Sequence, residues 1–337
     1  KHSRSFRALA VAGLTFAATH AAADAGDTLN FIAGTTIRQE DNLFRLPASL
    51  TPQATQALIG RSSTSDQLRV GYFGIQLDKA YSQQQFHLDA TASTYRYKNF
   101  SRLNFDAFDY SGYWNWRLTQ RLVGKLSMDH KQTQASFASS TNYSGNNTVT
   151  TENRRVDVDW WAHGSWHLLG AAWRYKHRNS QVNLAEDSFI QNSGETGIRY
   201  LAESGSSLTL LVRKARGEYA DRALNPASLL DTGFRQTDAE LRMAWLVSGR
   251  STLNGRLTHL ERKHDNFSQR DYSGTAGKLD YILTPSGKLQ LNVSAARAIG
   301  SFQENAHSYY INDSLAFIPV WQISAKTALR LNLEHAR

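Results

Sequence analysis

Three features predict an all-β chain, a transmembrane antiparallel up-and-down β-barrel of the bacterial outer membrane. The N-terminus is built as an export signal, apolar residues fall on alternate positions in segments of about ten residues, and the connections alternate between short and long.

The export signal comes first. Lys1, Arg4 and Arg7 supply a basic start, Ala8 to Ala18 an apolar stretch, and Ala21-Ala22-Ala23 a small-residue cleavage site. The expected organisation is a signal peptide over 1–23 and a barrel over 24–337. Removing Lys1, Arg4 and Arg7 from the formal charge of +9 leaves a mature chain of about +6. No later segment approaches the roughly 18 to 20 apolar residues that a membrane helix requires. The 5 prolines and 11% aromatic content suit strands, and the absence of cysteine leaves nothing to oxidise in an exported chain.

From Asp27 onward the period is two. Phe86, Leu88, Ala90 and Ala92 share one face while His87, Asp89, Thr91 and Ser93 share the other. The same alternation puts Phe108 to Leu118 (even numbers), Leu122 to Met128, Val156 to Ala162, Leu169 to Tyr175 (odd numbers), Leu208 to Val212 and Leu289 to Ala295 on an outer, lipid-facing phase. Short connections fall at Lys79–Ser82, Thr119–Gln120, Gly164–Ser165, Ser204–Ser206, Ser248–Arg250, Pro285–Gly287 and Ile318–Gln322. Longer ones fall at Arg45–Thr64, Ala135–Glu152, Asn179–Gln191 and Ala220–Gly233. Trp114, Trp116, Trp160, Trp173, Trp245 and Trp321 lie beside the short turns, as an interfacial aromatic girdle would. The count is about fifteen strands, the last over Gln322 to Glu334. An odd count leaves an open edge that lipid cannot satisfy, so the chain is expected to continue past Arg337 by one to three strands, to about 16 to 18 in all.

The polar phase is the candidate pore lining. It carries Arg117, Lys125, Arg155, Arg174, Arg199, Arg213 and Arg242 with Asp157 and Asp159, and Tyr113 and Trp161 are placed to stack on sugar rings. Lys176 and Arg178 fall in the same phase. A slight excess of basic groups favours anionic solutes, while interleaved opposite charges would serve simply to satisfy one another.

Enzymatic signatures are lacking: the sequence holds no Gly-x-Ser-x-Gly elbow, His-Glu-x-x-His or phosphate-binding loop. Asp157 and Asp159, about 7 Å apart on one strand face, have a spacing that glycosidase carboxylates use, but neighbouring Arg155 makes them simpler to read as wall charges. His163 and His167 straddle a turn and suit no metal site unless it folds unusually tightly. No enzymatic activity, cofactor or metal is expected, and export removes nucleic acid as a partner.

Several stretches together resemble a known family. Glu40-Asp41-Asn42-Leu43-Phe44-Arg45 looks like its opening signature, Leu77 to Phe86 (LDKAYSQQQF) like its first periplasmic turn, and Asn115 to Leu122 (NWRLTQRL) like its second. Trp321 ahead of Ser324-Ala325-Lys326-Thr327 completes the set. In order and spacing these are similar to the β-barrel porins encoded in exopolysaccharide-biosynthesis loci, the EpsL-type outer-membrane proteins, over roughly Asp27 to Arg337. Ala80 and Gln83 depart from the family's first turn, which is proline-rich and basic. The resemblance implies a part in exopolysaccharide production or export, with outer-membrane lipid, lipopolysaccharide, a polysaccharide chain and periplasmic export components as partners, and supplies no catalytic residue. Two other readings fit the residues: a general diffusion porin for small solutes, and a barrel enzyme acting on lipid or lipopolysaccharide, for which no converging serine, histidine and acid can be assembled.

Overall fold

The computed structural model describes residues 28–135, 137, 145–181, 184, 187–304 and 307–337, without the side chains of 301–307. The expected signal peptide, 1–23, and parts of the loops expected at Ala135–Glu152 and Asn179–Gln191 lie outside the described residues.

Alternating apolar and polar residues give one continuous antiparallel sheet in which each strand as far as β15 pairs with the next and β16 pairs with β14: β1 (Leu29–Glu40), β2 (Asp66–Tyr81), β3 (Gln84–Tyr97), β4 (Phe105–Arg117), β5 (Leu122–Gln134), β6 (Thr148–His163), β7 (Trp166–Asn179), β8 (Phe189–Leu201), β9 (Ser207–Glu218), β10 (Gly233–Ser248), β11 (Ser251–His264), β12 (Tyr272–Ser286), β13 (Leu289–Glu304), β14 (His307–Ser324), β15 (Thr327–Arg330) and β16 (Leu333–Ala336). One helix, α1 (Pro52–Ile59), interrupts the pattern. It is capped by the Thr51 side chain and closed by left-handed Gly60. The sheet curls on itself: Gln85 of β3 and Arg242 of β10, seven strands apart in the sheet, line one cavity. Among the described residues β1 pairs only with β2, and no ladder joins it to β14, β15 or β16.

Sixteen ladder segments make fifteen strands. β15 and β16 both pair with β14, and Leu331, between them, donates its N–H to Pro319 in the same register. Pro319 has no N–H to return, so the ladder lapses opposite it and resumes at Leu333. The short connection expected at Ile318–Gln322 is therefore absent. β14 runs straight through it, and the turn falls at Ala325 and Lys326. Proline reads as a turn in sequence, but here it occupies a ladder position where its missing donor costs one bond.

Outward positions are apolar over the lower half of the wall. Phe31, Phe73, Leu126, Trp160, Leu168, Leu210, Trp245, Leu257, Leu315 and Trp321 are all largely exposed. Trp114, Trp160, Trp245 and Trp321 stand within a few residues of the short turns, as the girdle requires. The long loops gather at the other rim, the outside end of such a barrel. There the loop after β1 folds inward, and Phe44, Leu46 and Ile59 pack with Leu68, Tyr97, Phe100 and Leu103 on the lumenal side of β2, β3 and their neighbouring turn.

Two loop clamps hold this rim, and they share a pattern. Asp66, at the start of β2, accepts backbone N–H bonds from Asn99 (2.8 Å) and Phe100 (3.0 Å). Asp231, just before β10, accepts from the N–H groups of Asn266 (2.7 Å) and Phe267 (2.8 Å). Each Asn-Phe-Ser triplet then opens a one-turn 3-10 helix, Ser101–Leu103 or Ser268–Arg270. The turn ends on a side chain, Asn104 or Asp271, that accepts the N–H of the last residue of the incoming strand.

Candidate functional site

Strand pairing alone assigns the inner face. From β6 to β10 the directly opposed residues are Asp157, Ala171, Glu195, Arg213 and Asp238, so these share the lumenal side. The side chains form one ionic network. Arg155 lies 2.6 Å from Asp157 and 3.5 Å from Glu195; Arg213 lies 2.6 Å from Glu195 and 3.0 Å from Asp238. Arg242 pairs with Glu240 and approaches Glu195 at 3.8 Å, and Thr258 donates to Glu240 at 3.0 Å. Glu195, Asp238 and Glu240 are almost fully buried. A buried carboxylate is tolerable only when paired, and each of the three has a guanidinium against it.

Toward the periplasmic end a second group forms around Asp159. It pairs with Arg199, and its carboxylate lies 2.7 Å from His167 Nδ1. The two groups border a cavity of about 650 Å³ whose lining includes Arg117, Lys125, Arg155, Arg199, Arg242 and Asp157. Six cations (Arg117, Lys125, Arg155, Arg199, Arg213, Arg242) thus face five carboxylates (Asp157, Asp159, Glu195, Asp238, Glu240). Two of the six, Arg117 and Lys125, form no ion pair among the described residues, while the other four are each paired. Lys125 instead lies 4.5 Å from the ring centre of Tyr113, which stacks on His87.

Most of the expected lining residues are gathered here. Arg117, Lys125, Arg155, Arg199, Arg242, Asp157 and Asp159 border or adjoin the cavity, Arg213 stands behind Glu195, and Tyr113 packs beside Lys125. Trp161 is at the rim, its indole N–H donated to the Gly164 carbonyl in the turn and its ring near Arg121. Arg174 is not part of the lining. It is opposed to Arg154 and Asn192 on the outer face, as Lys176 is to Glu152, so the phase expected for β7 is inverted. The lumenal residues of β7 are Leu169, Ala171, Trp173 and Tyr175. Trp173 is not a girdle residue either: the Arg155 and Arg213 guanidinium carbons lie 4.4 Å and 5.2 Å from its ring centre. An indole between two arginines meets its packing needs inside a polar lumen, and that reverses the rule that apolar means lipid-facing. Asp238 and His167 also belong to the network. Asp238 sits in phase with Glu240 and Arg242, which is the signal that could have found it.

No protein-family model matches the chain, and no curated protein matches it. Solved structures do. The ferric enterobactin receptor in complex with BCV-L6 superposes with a TM-score of 0.51 at 11% identity, over 93% of this chain and 54% of that one. A variant of the ferric enterobactin receptor from Pseudomonas aeruginosa gives 0.50 at 10% identity, over 80% and 50%. The chain has the fold of an outer-membrane β-barrel. The siderophore receptor PirA from Pseudomonas aeruginosa is similar over 80% of this chain and 52% of its own, with 12% identity and a TM-score of 0.49. This chain spans about half the length of the solved structures it matches.

Proposed function

We propose that this barrel is a conduit across the outer membrane for acidic exopolysaccharide, serving its biosynthesis and export and working with periplasmic export components. The observation that carries the reading is the pair of cations without an ion-pair partner among the described residues, Arg117 and Lys125, at the edge of a cavity of about 650 Å³ in a wall whose other four cations are ion-paired. Ion-paired side chains hold no passing solute, while these two cations attract a carboxylate without the full burial that would trap it. Tyr113 beside Lys125 offers a flat apolar face to a sugar ring. The resemblance to EpsL-type proteins points to the same cargo.

Asp157 and Asp159 act in this reading as counter-ions. Each is engaged by an arginine, Asp157 by Arg155 and Asp159 by Arg199. The function is accordingly transport rather than catalysis.

Reconstitution in planar bilayers tests this. The conductance should be anion-selective, an acidic oligosaccharide should block it, and R117Q combined with K125Q should abolish the selectivity and cut export of the acidic polymer in cells. Equal conductance of anions and cations, with export unaltered by the double substitution, would favour a general diffusion porin.

A further inference from the structure

The inverted phase of β7 leaves an outer-wall feature that pore chemistry does not use. Following the pairing outward from β6, the directly opposed outer residues are Arg154, Arg174, Asn192, Arg216, Arg235 and Lys263, one on each strand from β6 to β11. Like charges directly opposed on neighbouring strands, with Cβ atoms about 5 Å apart, destabilise a sheet unless an anion lies between them.

Of the three opposed cation pairs, Arg216–Arg235 has such an anion, and in Arg235–Lys263 each cation has a carboxylate of its own, Asp265 and Glu261; Arg154–Arg174 has neither arrangement. Arg216 and Arg235 share the carboxylate of Asp265, at 3.7 Å and 3.2 Å. Among the described residues no carboxylate bridges Arg154 and Arg174. Arg154 reaches only Glu152 to one side, at 3.7 Å, and among the described residues Arg174 forms no ion pair. Lys214, one pair of residues nearer the periplasm on β9, forms none either. All three are exposed.

Height along the wall narrows the choice of anion. Arg154, Arg174 and Arg216 stand eight or nine residues from the turns at the periplasmic ends of their strands. At about 3.4 Å per residue and a tilt of about 40°, this is roughly 21 to 23 Å, close to the top of an apolar band about 25 Å tall. The cations therefore lie where the headgroups of the outer leaflet begin. Directly beneath Arg154 and Arg174 a groove of about 570 Å³ runs on the outer face, lined by Leu126, Val156, Ala172 and Gly194. At its floor Gly194 leaves open space, with no atom within 4 Å of the position a side chain there would fill.

We propose that Arg154 and Arg174 form a binding site for the phosphate of a phosphorylated glycolipid of the outer leaflet, with one of its acyl chains lying in the groove below. The phosphate supplies between Arg154 and Arg174 what Asp265 supplies between Arg216 and Arg235. A guanidinium pair matches phosphate oxygens with paired N–H donors, and Lys214 adds a third positive charge nearby. A free anion would meet the cations but leave the groove empty. The site is independent of what passes through the lumen.

The test uses the full chain in a neutral detergent, titrated with lipid A bearing both phosphates and followed by native mass spectrometry. Parallel arms use dephosphorylated lipid A and inorganic phosphate. Phosphorylated lipid A should bind at least about tenfold more tightly than either, and R154Q combined with R174Q should remove that advantage, in line with the loss of charge-assisted hydrogen bonds. K288Q, at a periplasmic turn, should change nothing. A172F keeps both charges and fills the groove, and it should also weaken lipid binding while leaving the heat-modifiable folded band intact. Equal binding of dephosphorylated lipid, undiminished binding by the folded double variant, or inorganic phosphate binding as tightly as the lipid would each overturn the assignment.

Discussion

The two loop clamps at the outer rim use one hydrogen-bonded frame with opposite fillings. In both, an aspartate at the start of a strand holds the Asn-Phe backbone of the loop two connections later, and an Asn or Asp four or five residues on ties off the strand end. In the first, the position closing the 3-10 turn is Leu103, buried in an apolar cluster with Phe44 and Phe100. In the second it is Arg270, equally buried, donating to the Ser228 and Leu229 carbonyls. Backbone geometry is thus conferred by the aspartate, and the loop above it is free to be oily or ionic. Even the accommodation is parallel, since the overlying loops each bend through one non-glycine residue with positive φ, Arg45 (56°) and Leu229 (53°).

The most severe way to break the comparison is to remove the frame. D66A or D231A leaves buried N–H groups without an acceptor, and each should cost about 3 to 5 kcal/mol in the local stability of its own clamp. Limited proteolysis at the two loops would read this out. If D66A loosened the second clamp as much as the first, the two would be one unit rather than a repeat.

The fillings separate next. F44A should cost about 3 to 5 kcal/mol through the cavity it leaves beside Phe100, with no counterpart at the second clamp. R270L removes the donors to the Ser228 and Leu229 carbonyls and should cost about 1 to 3 kcal/mol. Hydrogen exchange of the loop amides in each variant measures both.

Acid sharpens the contrast further. Burial pushes the Asp231 carboxyl up, but hydrogen bonds from Asn266, Phe267 and Gly233 outweigh it and hold the group below its ordinary value. A lowered folded pKa contributes stability that is complete above the unfolded value of about 3.9 and is lost as pH falls through the folded one. Protection of Asn266 and Phe267 should therefore be flat from about pH 5 to 8 and fall below about pH 4, and D231N should abolish that fall. A decline already present near neutrality would contradict the assignment.

The smallest expected effect belongs to the arginines stacked over the first clamp. Arg102 lies 5.1 Å and Arg61 5.9 Å from the Phe100 ring centre. R61Q should cost about 0.5 to 1 kcal/mol in thermal stability.

Much of this was legible in the residues. Period-two patterning located the strands and assigned the correct face to β3, β6, β9 and β10, because there the lumenal residues are charged and the outer ones aliphatic. It failed on β7 for a physical reason: Trp173 faces the lumen against two guanidiniums, while Arg174, Lys176 and Arg178 point outward near or above the apolar band, where the outer face need not be apolar. It failed at Pro319 because a proline that forfeits one ladder bond looks the same in sequence as one that makes a turn. The clamps were visible as the repeated triplets Asn99-Phe100-Ser101 and Asn266-Phe267-Ser268, but their meaning required Asp66 and Asp231, 33 and 35 residues upstream. The ionic wall was legible as a list of charges, not as a network, since only register decides that Glu195 meets both Arg155 and Arg213.

Trp173 has one more consequence. An indole held between two guanidiniums emits according to how close those cations sit. An anion entering the lumen competes for Arg155 and Arg213, and any shift of either alters the field on the ring. The barrel thus carries its own optical gauge of lumen occupancy. With the other seven tryptophans replaced, the emission maximum of Trp173 would report an anion bound at Arg155 or Arg213 in unlabelled protein.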